Sequence, residues 1–153
     1  MHTYEATVSW HRDEAQFVDN RYSRAHEWAF DGGLRIPASS SPLSVPLPMS
    51  VAANVDPEEA LVAATSSCHM LFFLSIAARH GFVIDSYIDR AIAVMEKNGE
   101  GKIAITRITL RPQIVFSGEH RPAPAELDTM HHEAHERCYI ANSLKSEVAV
   151  EPA

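Results

Sequence analysis

The run from Ala60 to Ala78 is apolar on almost every side of a helix, and it starts directly behind Asp56-Pro57-Glu58-Glu59. Asp56 can accept hydrogen bonds from the free amides of a first turn. Proline suits that turn because its missing N–H would go unpaired there anyway, and acids favour the positive end of the helix dipole. The pattern predicts a helix over 57–80 that stops at Gly81. A helix without a polar face must be covered on most sides. A chain of 153 residues offers a single sheet for that purpose, so burial against a second copy of the chain is expected. Its most apolar stretch, residues 70–78, contains Ser75 and is too short to span a bilayer, so no membrane partner is expected.

The remaining elements follow from periodicity. Tyr4, Ala6, Val8 and Trp10 alternate with polar residues, as do His26, Trp28 and Phe30 on the same face as Arg24. Asp31-Gly32-Gly33 turns this strand into another through Leu34 and Ile36, a predicted hairpin. Residues 37–50 hold four prolines and read as a loop. Residues 82–96 read as one strand and 102–116 as its return, joined at Asn98-Gly99. On the return strand the apolar residues shift from odd positions (Ile103, Ile105) to even ones (Ile108, Leu110, Ile114), which predicts a bulge near Thr106-Arg107. A second helix is expected over 125–140, with Leu127, Met130, Ala134, Cys138 and Ala141 at helical spacing, and a last strand over 144–150. The class is α+β with a mainly antiparallel sheet, in one domain over 1–153.

Composition narrows the function. At 46% hydrophobic and 22% charged residues, the chain has the make-up of a globular protein. The net charge of -7, with no local basic run, argues against nucleic acid as a partner. The N-terminus has neither the basic start nor the apolar core of a secretory signal, so the expected location is the cytoplasm. Thiols there start out reduced, and two cysteines then point to chemistry or metal more than to a staple. Cys68 lies in Thr65-Ser66-Ser67-Cys68-His69-Met70, and Cys138 in His135-Glu136-Arg137-Cys138-Tyr139-Ile140. Both sit on apolar helix faces, where free cysteine is commonly a small buried hydrophobe. Both also lie beside histidine or arginine, which can lower a thiol's pKa and make it a nucleophile.

Three segments together resemble the OsmC/Ohr family. Asp56-Pro57-Glu58-Glu59 followed by Leu61-Val62-Ala63-Ala64 and Cys68 is similar to that family's approach to its peroxidatic cysteine. Residues 134–145, with Cys138 and Asn142-Ser143-Leu144-Lys145, resemble its second-cysteine helix and last strand. Tyr22-Ser23-Arg24 resembles its N-terminal arginine region. The resemblance implies an OsmC-like fold with a long buried central helix in an intertwined homodimer, and no cofactor. It implies a thiol peroxidase in which Cys68 attacks an organic hydroperoxide and becomes a sulfenic acid, and Cys138 resolves it as a disulfide. A dithiol, in this family often a dihydrolipoyl protein, is the implied reductant. By the same resemblance Arg24 is the active-site arginine, with Arg21 as its stand-in, and Glu58 is the acid that pairs with it. Glu58 and Cys68 lie about 15 Å apart on a straight helix at 1.5 Å per residue. Either Arg24 spans part of that gap, or the helix is irregular near Glu58, or Glu58 serves a partner chain.

Met70, Leu71, Phe72 and Phe73 surround Cys68 with apolar side chains, so His69, Phe72 and Phe73 are expected to line an apolar substrate pocket. His131, His135 and Cys138 recur at i, i+4 and i+7, a stripe that could ligate zinc, although a solvated or pocket-lining cluster is the more common outcome of such spacing. Metal binding or thiol sensing without turnover is therefore the competing reading, and packing cysteines in a stress-associated dimer is a third.

Overall fold

The computed structural model describes residues 1–152. They form two compact units, one over Met1–Ala60 and the other from Leu61 onward. The class is α+β, rich in antiparallel pairs, as the patterning predicts.

In the first unit, β1 (Ala6–Ser9), β2 (His26–Phe30) and β3 (Arg35–Ala38) form an antiparallel sheet in the order β1-β2-β3. The Asp31-Gly32-Gly33 turn closes the predicted hairpin, with Gly33 at φ 87°. Glu27 and Arg35 form an ion pair across that hairpin. Between β1 and β2, Trp10, Phe17 and Tyr22 gather into an aromatic cluster, with Phe17 and Tyr22 stacked at 4.7 Å. The proline-rich segment returns to the sheet through a parallel bridge between Ala38 and Val55.

Helix α1 spans Pro57–Arg79. Its start is a reciprocal cap: the Glu59 amide donates to Asp56 Oδ1 at 2.8 Å, and the Asp56 amide donates to Glu59 Oε2 at 3.4 Å. Its end is a Schellman turn, in which Phe82 N–H reaches Ala77 O and Gly81 N–H reaches Ala78 O around Gly81 at φ 76°. The helix runs without interruption from Pro57, so it is regular at Glu58.

By length and composition α1 could cross a bilayer. Its face carrying Phe73, Ile76 and Ala77 is instead packed with Phe82, Met130 and Ala134 in a buried cluster, flanked by Ile84, Tyr87, Ile114 and Phe116. The rest of the helix is covered less than its apolarity predicts, and Leu71 is 63% exposed.

Each predicted long strand is two strands here. Residues 82–96 give β4 (Val83–Asp89) and β5 (Ile92–Lys97), and residues 102–116 give β6 (Ile103–Leu110) and β7 (Pro112–Ser117). β4 pairs with β7, while β5, β6 and β8 (Glu147–Val150) form a separate sheet. The break falls where Pro112 removes a ladder donor. Beside it the Arg111 amide turns to Asp89 Oδ1 at 2.6 Å instead of continuing a strand. Alternation alone carries no mark of such a corner. The predicted bulge is present: Val94 pairs with Arg107 and Met95 with Ile105, which leaves Thr106 as the extra residue. β8 runs parallel to β6, the one parallel strand pair among the described residues. Helix α2 spans Pro124–Arg137 and ends three residues short of the expected 140, because Cys138 takes an extended conformation that closes it.

Candidate functional site

The site in the second unit lies where α1 meets α2. The Cys68 and Cys138 thiols, distant in sequence, come close enough that Cys68 raises the Cys138 pKa. Both are free. Cys68 is half-buried on α1, and Cys138 is only 1% exposed at the end of α2. The Ala141 amide donates to Cys138 Sγ at 3.4 Å. Burial, reinforced by the neighbouring Cys68, pushes the Cys138 thiol up to about 11, so it keeps its proton at neutral pH.

Two ring contacts flank the thiols. Phe72 meets Tyr139 edge to face at 5.0 Å. His69 Nε2 bonds to His131 Nδ1 at 3.1 Å, with the rings nearly parallel. His69 is 1% and His131 4% exposed, and His131 stacks on Phe73 at 4.3 Å. Burial is the main reason that each imidazole's pKa falls to about 4; for His69, proximity to His131 and His135 adds to it, whereas Asp128 and Asp89 oppose it at His131. A neutral pair results, in which one ring donates and the other accepts.

Several of the expected site residues make specific contacts within this unit. His69 bonds to His131, and Phe73 is fully buried in the core. Phe72 alone of the expected lining residues stays at the edge, against Tyr139. The helical stripe of His131, His135 and Cys138 is likewise spoken for, since His131 bonds to His69 and Cys138 faces Cys68. Among the described residues no three His, Cys, Asp or Glu side chains converge as metal ligands. A cavity of about 310 Å3 with Asp128, His132, His135, Val148 and Val150 in its wall adjoins the outer side of His131.

In the first unit, Arg24 does not pair with Glu58. Its guanidinium lies over the Tyr22 ring at 3.7 Å and donates to the Asn20 and Tyr22 carbonyls and to Asn20 Oδ1. The aromatic cluster brings these oxygens around Arg24, and three of the guanidinium's five N–H donors are used on them. Glu58 sits half-buried in the first turn of α1, and the Arg21 amide is held by Asp19 Oδ1 at 3.0 Å.

The histidine pair is what residue-by-residue reading missed. Its signal was present: His69 sits four residues from both Thr65 and Phe73 on the buried face of an apolar helix, where a polar ring needs a partner. Ser66, whose hydroxyl donates to Asp89 Oδ2 at 2.5 Å, carried no comparable mark.

Residues 51–153 match the family described as OsmC-like protein. Over its whole length the chain is 55% identical to an OsmC-like protein of unknown function from Vibrio cholerae, with a TM-score of 0.98 and all of both chains covered. An organic hydroperoxide resistance protein from Elizabethkingia anophelis shares the fold at a TM-score of 0.70 and 14% identity, over 99% of this chain and 94% of that one. The organic hydroperoxide resistance protein OhrB of Bacillus subtilis does so at 0.64 and 16%, over 99% and 98%. Among curated proteins no match is found.

The buried imidazoles set a pH dependence of stability. Unfolded histidines take up protons near pH 6.5, whereas the folded rings resist until about 4. Between those values the unfolded state binds more protons, so this contribution is complete above pH 6.5 and is lost as pH falls toward 4. We expect the pair to lose about 6 kcal/mol across that window, about 3 kcal/mol for each ring, at roughly 1.4 kcal/mol per pH unit and proton. Urea unfolding of wild type and of a His69→Gln/His131→Asn variant at pH 7 and pH 4.5 checks this. Equal pH dependence in the two proteins would refute it.

Proposed function

The chain belongs to the OsmC-like protein family, and on that premise we propose that it is a thiol-dependent peroxidase that reduces organic hydroperoxides to alcohols. The observation that carries the reading is the meeting of two free thiols, one half-buried on α1 and the other buried and protonated on α2. That asymmetry suits a division of labour. A half-buried sulfur can meet a substrate, and a buried thiol that holds its proton does not compete for the peroxide.

The Cys68 thiolate attacks the outer oxygen of the hydroperoxide. An S–O bond forms, the O–O bond breaks, and the leaving alkoxide departs as an alcohol with the proton that Cys68 gave up. Cys138 then attacks the sulfenic sulfur. An S–S bond forms, and hydroxide leaves as water with the Cys138 proton. A dithiol reduces that disulfide by two exchanges and becomes a disulfide itself. One hydroperoxide and one dithiol thus yield one alcohol, one water and one disulfide. In this reading Phe72 and Leu71 favour an organic substituent near Cys68. Arg24, oriented by the Asn20 and Tyr22 oxygens, supplies positive charge to the breaking O–O bond.

Pure reduced protein mixed with cumene hydroperoxide and a dithiol tests the reading by peroxide loss. Cys68→Ser should abolish consumption. Cys138→Ser should still form one sulfenic acid per chain, visible by mass spectrometry, yet fail to recycle. Absence of oxidation at Cys68 in that variant would sink the assignment, and oxidation without turnover in wild type would favour a sensor.

Arg24→Ala should slow the oxidation step by about 10²–10³-fold, as for other preorganised donors at a reacting centre, while the protein stays folded. Stopped-flow oxidation measures it. A rate within twofold of wild type would remove Arg24 from the chemistry and make Arg21 the next residue to vary.

We further propose that the working form is a homodimer. β5 is exposed along its whole length although it carries Ile92, Val94 and Met95. Leu71, Ile103 and Val115 are 63%, 64% and 54% exposed. Apolar surface of this kind marks an interface, and a second copy is the occupant that the nearly all-apolar α1 already called for. Sedimentation from micromolar to nanomolar concentration should show a dimer throughout; a folded, active monomer would overturn it.

A further inference from the structure

The bond between His69 and His131 has no part in the chemistry above, yet it sits one residue from Cys68 on α1 and two turns from Cys138 on α2. We propose that His69 and His131 are positioning residues: their imidazole–imidazole bond sets how α1 meets α2 and so holds Cys138 against Cys68. The inference deepens the two-thiol reading and concerns the redox couple itself, not the peroxide.

The apolar part of the seam cannot set this offset alone. Phe73, Ile76, Met130 and Ala134 contribute burial, which is non-directional. A shift of one helix along the other would exchange one apolar contact for another. The imidazole bond is directional and links two residues that are at least 96% buried. His69 Nδ1 and His131 Nε2 are already buried without a partner. Sliding α2 would strand the two bonded nitrogens as well, so the bond favours the present offset. Phe73, stacked on His131, fixes the plane of that ring. Phe72 and Tyr139 also join α1 to the chain after α2, but by an edge contact at a site where Tyr139 is 71% exposed, a weaker constraint on position.

The atoms used suggest the control. His131 bonds through Nδ1 and His69 through Nε2. An asparagine amide occupies roughly the place of Nδ1 and a glutamine amide that of Nε2. His69→Gln with His131→Asn therefore rebuilds the bridge as an amide pair, whereas His131→Phe keeps the ring and its stack on Phe73 but deletes the bond.

Equilibration in glutathione redox buffers reads the couple directly: the two thiols and oxidised glutathione give the Cys68–Cys138 disulfide and two reduced glutathiones. His131→Phe is expected to lower that equilibrium constant at least tenfold, about 30 mV for two electrons, while the protein stays folded with a somewhat lower melting temperature, because His69 Nε2 loses its partner. The Gln/Asn variant is expected to return within threefold of wild type. A folded His131→Phe protein within twofold of wild type would overturn the proposal, as would a Gln/Asn variant no better than the phenylalanine one. His69→Leu replaces His131→Phe if the latter does not fold. Should neither fold, the reduced wild-type protein decides, because a through-bond ¹⁵N coupling between the two imidazoles is expected and its absence refutes the bridge. No hydroperoxide enters the experiment. Failure of peroxide turnover would leave a shifted potential standing, and an unshifted potential in an active peroxidase would sink only the bridge.

Discussion

The face of α1 that carries Thr65, His69, Phe73 and Ile76 is the constraint on which the second unit depends. All four side chains are at most 1% exposed. The apolar end of that face is met by Phe82, Met130 and Ala134, and the end nearer the helix start carries Thr65 and His69. Thr65 satisfies itself by donating to Leu61 O at 2.8 Å within the helix. His69 has no such local option and needs a group from another element, which α2 supplies in His131. The polar demand of one buried residue therefore helps to decide which residues of α2 face α1, and Cys138 is among them.

Burial acts in opposite senses on the two kinds of titrating group along this seam. It raises the Cys138 thiol and lowers the His69 and His131 imidazoles, and in each case it favours the neutral form. The Cys138 thiol and the His69 and His131 imidazoles are thus uncharged at neutral pH although they lie near one another. Neutrality allows those groups to pack beside Phe73 and Ile76 without the penalty of an isolated buried charge. It also suits the proposed chemistry, in which the reactive role falls to the less enclosed sulfur and the enclosed one is its proton-bearing neighbour.

Geometry near the bend of the long hairpin serves the same seam. Asp89 accepts from the Arg111 amide through one oxygen and from the Ser66 hydroxyl through the other. One carboxylate therefore ends β4, turns the chain ahead of Pro112, and ties that corner to α1 two residues before Cys68. A corner of this kind separates the β4–β7 ladder behind the core from the β5–β6–β8 sheet. It also carries β5 away from the chain's own core and leaves its apolar side chains open.

Much of this was readable locally. The cap at Asp56, the turn at Gly81, the hairpin at Asp31-Gly32-Gly33 and the bulge at Thr106 each depend on a few adjacent residues, and each lies where the pattern puts it. The prominence of Cys68 and Cys138 was also visible, because two cysteines in flanked helix motifs stand out in any order of reading. What their neighbours do was not. His69, Phe73 and Arg24 occupy positions that fit a pocket or an ion pair equally well on paper. Tertiary contacts gave His69 to His131, Phe73 to the core, and the Arg24 guanidinium to the oxygens of Asn20 and Tyr22. The sequence by itself determined the elements and the two thiols, since turns, caps and periodicity are energies of short range. Only the tertiary structure decided the partners, because a buried polar group is satisfied by whatever donor or acceptor the packing of distant segments brings within about 3 Å.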